Sequence, residues 1–400
     1  MRKFIDFLGL KKSIAAVLLM VVLVGLGEKI FERFLPIYLI ALIGAGPFAN
    51  TIIGLLNGLN NLLNALYSFP AGYISDKFGY KKALTIFNIS AMIGYLVVIF
   101  IQHWLAVIIG AIFFMSWSAV SLPATMSLVS KVLPPNKRTM GVSLHSFIRR
   151  IPMALGPLIG GYFLLIFGEK KGITFAFICA FVLALVALLV QQFFIEEDKT
   201  HNKAEINPFK VLRFMCPDLK KLLISDILIR FCEQIPYAFV VVWCMKNLHQ
   251  NSLNFGLLTT IEMITAMLIY IPVAYLADKS VKKPFVVITF IFFSLFPLIL
   301  LFSHNFYILI FAFVIRGLKE FGEGTRKALI LDLAPEDKKA AMFGLYYLIR
   351  DTIVSIAAFG GAFLWNISPE FNLLTAFTFG SIGTIYFVIY GSDLSIHKKE

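Results

Sequence analysis

Long apolar runs alternate with short polar connections along the whole chain. Runs of about 20 apolar residues recur from near residue 13 to near residue 392, and we count twelve of them. A run of about 20 apolar residues is long enough for a helix to cross a bilayer. The pattern therefore predicts an all-α membrane protein with twelve transmembrane helices, numbered below as spans 1 to 12.

One run, residues 305–333, departs from this pattern because it carries six charged residues: Arg316, Lys319, Glu320, Glu323, Arg326 and Lys327. At about 100° per residue, a continuous helix places all six within roughly one third of its circumference. A charged side chain at mid-bilayer costs about 2.5 kcal/mol or more. We therefore expect this face to line a hydrated central cavity, to meet partners on other helices, or both.

A structural role for the same charges stays open. The i, i+4 pairs Arg316–Glu320, Lys319–Glu323 and Glu323–Lys327 would neutralise each other within one helix and serve only to hold helices together. Arg326, Lys327 and Asp332 lie toward the predicted cytoplasmic end. There the expected role is gate pairing, or snorkelling of the charged group to the membrane surface.

Composition and charge distribution support a membrane protein and exclude other classes. Hydrophobic residues make up 59% of the 400 and charged residues 15%, with a mean hydropathy of +0.84. The net charge of +13 does not indicate a nucleic-acid partner, because the basic residues recur in alternate connections rather than on one face. The intervening connections hold only Lys170, Lys171 and Lys246. This asymmetry places both termini in the cytoplasm, and we expect a bacterial inner (plasma) membrane protein.

The chain repeats itself at an offset of about 200 residues. The repeat aligns Pro36 with Pro236, Asp76 with Asp278, Arg150 with Arg350, and Gly160-Gly161 with Gly360-Gly361. A charged, proline-containing connection separates the copies. We predict an N-terminal six-helix bundle over 1–196, a cytoplasmic linker over 197–218 and a C-terminal six-helix bundle over 219–400, related by pseudo-symmetry.

The connection after span 2 reads GYISDKFGYKK, from Gly72 to Lys82. It resembles the loop signature of the major facilitator superfamily (MFS), G-x-x-x-D-[RK]-x-G-x-[RK]-[RK]. This resemblance implies the MFS fold, transport by alternating access, and a gating role for Asp76 and Lys77. The second copy keeps Asp278 and Lys279 but has lost the glycine. We expect Asp76 at a helix N-terminus, where the helix dipole favours a carboxylate.

Charged residues on the predicted helices supply the candidate site. Guanidinium groups pair bidentately with carboxylates and phosphates, and burial favours the protonated form of a carboxylate. The substrate-binding candidates are Arg33, Arg149, Arg150, Arg230, Arg316, Lys319 and Arg350. The proton-coupling candidates are Glu28, Glu32, Glu233, Glu262, Glu320 and Glu323.

These observations predict a secondary active transporter that moves a small organic solute, anionic or zwitterionic, by alternating access with proton coupling. An efflux antiporter for hydrophobic or amphipathic compounds is the alternative, favoured by GPLIGG at 156–161, which resembles the span 5 signature of antiporter branches of the MFS. A lipid-moving or receptor-like protein on the same scaffold is a third possibility. No nucleotide-binding, nucleophile or metal-ligand motif occurs. We expect no enzyme activity, cofactor or metal, and a monomer whose partners are the solute, protons and membrane lipids.

Overall fold

The computed structural model describes residues 12–115, 148–195, 212–278, 280–335 and 339–392. Within these residues, the helices up to Gln234 are α1 Lys12–Glu32, α2 Leu35–Ile43, α3 Pro47–Phe78, α4 Tyr80–Phe100, α5 Trp104–Phe114, α6 Arg150–Phe194 and α7 Pro217–Gln234. After the short helical segments Tyr237–Phe239, Val240–Val242 and Trp243–Asn247 come α8 Ser252–Asp278, α9 Lys283–Leu301, α10 Phe306–Leu318, α11 Glu323–Leu333, α12 Lys339–Ile367 and α13 Pro369–Tyr390.

Each of the twelve predicted spans contains described helix. Helix α6 holds spans 5 and 6, which separate at Gly168, where φ is 78° and ψ is 171°. A residue with a Cβ is strained at such a φ. Within the described residues, six helices are long and apolar enough to cross a membrane. A seventh span results when the bent pair Pro217–Tyr237 and Val240–Asn247 counts as one.

The chain divides into two compact units. The first unit comprises 1–44, 63–204 and 251–257, and the second comprises 45–62, 205–250 and 258–400. The start of α3 thus groups with the second unit and the start of α8 with the first. Most of the predicted linker, residues 197–211, lies outside the described residues, so its boundaries stay a prediction.

Close helix packing at glycine occurs within each unit. In the first unit, a Cβ at Gly160 of α6 would overlap the carbonyl oxygen of Ile30. In the second unit, a Cβ at Gly361 of α12 would overlap the carbonyl oxygen of Ile235. Small residues permit such close backbone approach between membrane helices. Each repeated glycine pair therefore has a member that permits close packing, Gly160 in the first unit and Gly361 in the second, although the two do not hold equivalent positions in their pairs.

Spans 1 and 7 are broken near equivalent prolines. Span 1 is interrupted between Glu32 and Leu35, just before Pro36. Span 7 leaves the α-helical conformation after Gln234, just before Pro236, and continues through the 3₁₀ turn Tyr237–Phe239. Proline lacks the backbone N–H that a continuous helix needs and its ring crowds the preceding turn.

Asparagine side chains bind the backbone carbonyls at the break in span 7. Asn57 Nδ2 donates to the carbonyl oxygen of Gln234 at 3.3 Å, and Asn372 Nδ2 donates to that of Ile235 at 3.3 Å. Asn61 Nδ2 also donates to Gln234 Oε1 at 3.1 Å. A buried carbonyl without a donor is costly, so these amides stabilise the broken conformation. Asn57 and Asn61 of α3 thus have structural partners at the end of α7.

Span 10 is also broken, which contradicts the continuous helix predicted over 305–333. Helix α10 ends at Leu318 and α11 begins at Glu323. The residues between them, Lys319–Gly322, form turns, and this segment is called the span 10 break below. The angular positions calculated for one continuous helix therefore apply only within each half.

Candidate functional site

The second unit contains a chain of ion pairs that begins on α7. Asp226, Arg230 and Glu233 are spaced i, i+4, i+7 and so lie on one face of this helix. Arg230 Nη1 lies 2.6 Å from Glu233 Oε2, and Arg230 Nε lies 3.9 Å from Asp226 Oδ1. The shared face predicted from the spacing is therefore present, and Arg230 links both carboxylates.

Glu233 is held by a cation at each of its carboxylate oxygens. Lys319 Nζ donates to Oε1 at 2.8 Å and Arg230 Nη1 donates to Oε2 at 2.6 Å. The Glu233 side chain is 10% exposed. We call these three residues the Glu233 clamp. The ammonium of Lys319 stands at the C-terminal end of α10, so the span 10 break sets its position.

Glu262 on α8 extends the ion-pair chain to Arg316. Its Oε1 atom lies 3.5 Å from Lys319 Nζ and 3.3 Å from Arg316 Nε. The Glu262 and Arg316 side chains are both buried. The guanidinium of Arg316 also lies 4.9 Å from the ring centroid of Phe296 and 5.6 Å from that of Phe313. Aromatic faces attract a desolvated cation, so these rings add to the stabilisation of Arg316.

Glu323, the first residue of α11, joins three cations. It lies 2.7 Å from Arg326 Nη2, 3.4 Å from Arg230 Nη2 and 3.4 Å from Lys327 Nζ. The Glu323–Lys327 pair predicted from i, i+4 spacing is therefore confirmed. The carboxylate also lies in the first turn of α11, where the positive end of the helix dipole stabilises it.

Asp226 is a buried junction of the ion-pair chain. Its Oδ2 atom accepts hydrogen bonds from Arg326 Nη1, from Arg350 Nη1 at 3.4 Å and from Tyr346 Oη at 3.1 Å. Arg350 Nη2 also lies 2.7 Å from Asp351 Oδ1. The prediction that Arg326 snorkels to the membrane surface is wrong, because its side chain is 1% exposed. Lys327 is 46% exposed, and its snorkelling stays a prediction.

The second unit thus joins seven of the sequence-predicted candidates: Arg230, Glu233, Glu262, Arg316, Lys319, Glu323 and Arg350. The eighth, Glu320, lies half-buried in the span 10 break. Asp226, Arg326 and Asp351 complete the chain although they were not candidates. The sequence signal for these three residues is their spacing from a candidate. Asp226 lies one helical turn before Arg230, Arg326 lies one turn after Glu323, and Asp351 follows Arg350 directly.

The first unit brings together a smaller group near the break in span 1. Lys29 lies 3.0 Å from Glu28 Oε1 and also pairs with Glu32. Lys29 was not a candidate, although the EKIFE spacing places it within one turn of both carboxylates. Arg33 follows in the break itself.

Arg149 and Arg150 stand at the start of α6, and both are half-buried. Arg149 lies within electrostatic range of Glu28. With Lys29 included, this first-unit group holds more cations than carboxylates: Lys29, Arg33, Arg149 and Arg150 against Glu28 and Glu32.

The predicted gating residues fall at two helix ends. Asp76 and Lys77 lie in the last turn of α3, which continues to Phe78, so the expected N-terminal position of Asp76 is wrong. Asp278 is the last residue of α8. Lys279, and the side chains of the other three, lie outside the described residues.

The long apolar helices among the described residues define a polytopic helical membrane protein. The model of the Major Facilitator Superfamily matches residues 17–232 and 222–394. The chain therefore belongs to this family, as its loop signature predicted, and it is an integral multi-pass membrane protein with the MFS fold. The predicted fold class is confirmed.

Relatives and solved structures agree with this assignment. An uncharacterized MFS-type transporter of Methanocaldococcus jannaschii is 23% identical over 359 residues, 87% of this chain and 88% of the relative. The class H tetracycline resistance protein of Pasteurella multocida is 25% identical over 260 residues, 62% of each chain. The crystal structure of a POT family transporter, in complex with a thioalcohol-conjugated peptide, superposes with a TM-score of 0.78 at 12% identity. That match covers 94% of this chain and 95% of the other.

Proposed function

We propose that this protein is a proton-coupled secondary transporter for a small organic anion or zwitterion, and that the Glu233 clamp couples the proton to the solute. One observation carries the proposal. A carboxylate in a membrane-spanning helix is held by two cations, at 2.8 Å from Lys319 and 2.6 Å from Arg230. Solute movement then follows alternating access between the two sides of the membrane.

The clamp explains coupling because Glu233 occupies donors that a solute carboxylate would use. A proton on Glu233 removes its charge and weakens both ion pairs. Lys319 and Arg230 are then available to a carboxylate of the solute. Because coupling between two ligands is reciprocal, an anion that binds these cations also favours proton uptake by Glu233.

Charge balance supports the same conclusion. The ion-pair chain joins five carboxylates, Glu262, Glu233, Glu323, Asp226 and Asp351, to five largely buried cations, Arg316, Lys319, Arg230, Arg326 and Arg350. A sixth cation, Lys327, pairs with Glu323 but is 46% exposed. Adding an anion alone would leave an uncompensated charge in a medium of low dielectric constant, which is unfavourable. A proton taken up with each anionic charge keeps the site neutral.

The remaining candidates take supporting roles in the proposal. The excess of cations in the first unit, at Arg33, Arg149 and Arg150, attracts an anionic group. Glu28 and Glu32 are further proton acceptors. Asp76, Lys77, Asp278 and Lys279 form the gates, the termini are cytoplasmic, and the protein works as a monomer in a bacterial inner membrane.

An efflux antiporter for amphipathic compounds is the second candidate function. Its support is the similarity to a tetracycline resistance protein. Aromatic rings around Arg316, including Tyr237 at 5.8 Å and Phe296 at 4.9 Å, would also suit a planar apolar ligand. A ligand of this kind would need no carboxylate.

Thermal stabilisation of the purified full chain distinguishes the two functions, because a bound ligand raises apparent stability by mass action. The panel contains mono- and dicarboxylates, amino acids, dipeptides, inorganic phosphate and tetracycline, each at two pH values. We expect carboxylates to stabilise the protein more at the lower pH. In Glu233→Gln, stabilisation should be retained and become independent of pH, whereas Asp218→Asn, at an exposed ion pair of the same helix, should behave as wild type. Stabilisation by tetracycline alone would reject the first function.

A further inference from the structure

The span 10 break is held by contacts with α9 as well as by its own turns. Glu320 N donates to the carbonyl of Gly317 at 3.2 Å, and Phe321 N to that of Leu318 at 2.9 Å. Both are i to i−3 bonds, which wind the backbone more tightly than an α-helix. Gly322 N then leaves the helical pattern and donates to Thr289 Oγ1 at 2.6 Å.

Thr289 is buried and uses its hydroxyl twice. It accepts the bond from Gly322 N and donates to the carbonyl of Phe285 at 2.9 Å. A Cβ at Gly322 would lie 2.5 Å from that same carbonyl oxygen, so only glycine permits this approach. The neighbouring ring of Phe321 stacks on Phe285, with centroids 5.9 Å apart.

We propose that Thr289 is a positioning residue, whose hydroxyl holds the span 10 break and thereby sets the ion pairs on either side of it. Lys319, the first residue of the break, pairs with Glu233. Glu323, after the break, pairs with Arg230. The consequence of this positioning for transport rests on the proposed function. The positioning itself is inferred from observed contacts, and its test requires no solute.

Helix geometry shows why the break matters. Turns with i to i−3 bonds rotate by about 120° per residue and an α-helix by about 100°. Closing the break into an α-helix would remove about 20° of rotation at each i to i−3 step and so turn Lys319 and Glu323 relative to each other. Lys319 and Glu323 would then no longer both reach their partners on α7.

Hydrogen exchange of the full-length protein tests the contact. Thr289→Val keeps the shape of the side chain but removes the acceptor for Gly322 N. Exchange in peptides covering 319–326 should accelerate by about tenfold or more, since a lost hydrogen bond of ordinary strength has an effect of this size. Thr289→Ser keeps the hydroxyl and should exchange as wild type does. Ser294→Ala removes a buried hydroxyl of α9 that bonds Phe290 and Thr384 instead, and it should leave these peptides unchanged.

A double-mutant cycle tests the positioning role. Lys319→Gln lowers the apparent melting temperature by removing the pair with Glu233. If Thr289 positions Lys319, this decrease should be smaller in the Thr289→Val background than in wild type, whereas it should be unchanged in the Ser294→Ala background.

Each outcome decides the proposal. The proposal is supported if the effects of Lys319→Gln and Thr289→Val on the melting temperature are non-additive and those of Lys319→Gln and Ser294→Ala are additive. It also requires that Thr289→Ser exchange at the wild-type rate. Equal decreases in all backgrounds, or unchanged exchange in Thr289→Val, overturn it. Should Thr289→Val fail to fold, Thr289→Ala and Thr289→Ser provide the same comparison. Because no solute is present, failure here is distinct from failure of the proposed function.

Discussion

Arg326 donates to Asp226 through Nη1, and both side chains are 1% exposed. The pair joins α11 to α7, and Arg350 of α12 adds a second cation at 3.4 Å from the same carboxylate oxygen. Removing one member of a buried ion pair leaves an uncompensated charge, which costs more than the pair contributes. Asp226 therefore compensates two arginines at once.

The first prediction concerns this carboxylate. Asp226→Asn should destabilise the protein by about 3–5 kcal/mol, since it leaves Arg326 and Arg350 without their shared counter-charge. The apparent melting temperature of the purified protein measures this. The matched control is Asp332→Asn, whose carboxylate pairs with Lys282 but is 44% exposed. Its effect should be below about 1 kcal/mol, and equal losses in the two variants would contradict the account.

The second prediction uses the glycine pair of α12. A Cβ at Gly361 would overlap the carbonyl oxygen of Ile235, whereas a Cβ at Gly360 would meet nothing within 4 Å. Gly361→Ala should therefore cost about 1–3 kcal/mol through overpacking. Gly360→Ala should be neutral or slightly stabilising, since alanine favours a helix. Thermal unfolding of both variants in one detergent gives the comparison. A larger loss of stability in Gly360→Ala than in Gly361→Ala would contradict this packing.

The third prediction concerns the break in span 7. Asn372 is buried and donates to the carbonyls of Ile235 at 3.3 Å and Gly361 at 2.8 Å. Asn372→Ala should cost about 1–3 kcal/mol, because the Ile235 carbonyl loses this donor. Asn366→Ala removes an exposed amide that bonds Asn50 and should change stability much less. A melting temperature of Asn372→Ala equal to that of wild type would exclude a role for this amide.

The sequence predicted the scaffold because its signals are local. Apolar run length gives the spans, and the loop signature gives the family. The i, i+4, i+7 spacing of Asp226, Arg230 and Glu233 correctly places them on one face. The Glu323–Lys327 pair also follows from spacing alone.

Contacts between different helices could not be predicted from the sequence. Glu262 pairs with Arg316 because α8 packs beside α10, and no spacing within either helix specifies this. The span 10 break depends on the hydroxyl of Thr289, which belongs to a different helix. Helical periodicity alone predicts a continuous helix through Lys319. The burial of Arg326 likewise follows from Asp226 and Tyr346 on neighbouring helices.

The central claim is that Glu233 exchanges a proton as Lys319 and Arg230 bind the solute. The direct test is proton movement in vesicles that contain the reconstituted protein, with an imposed pH step and a carboxylate that stabilises it. Wild type should show solute-dependent proton movement and accumulate the solute with the gradient. Glu233→Gln should exchange solute across the membrane but show neither proton movement nor accumulation. Proton-driven accumulation at the wild-type level in Glu233→Gln would contradict the account.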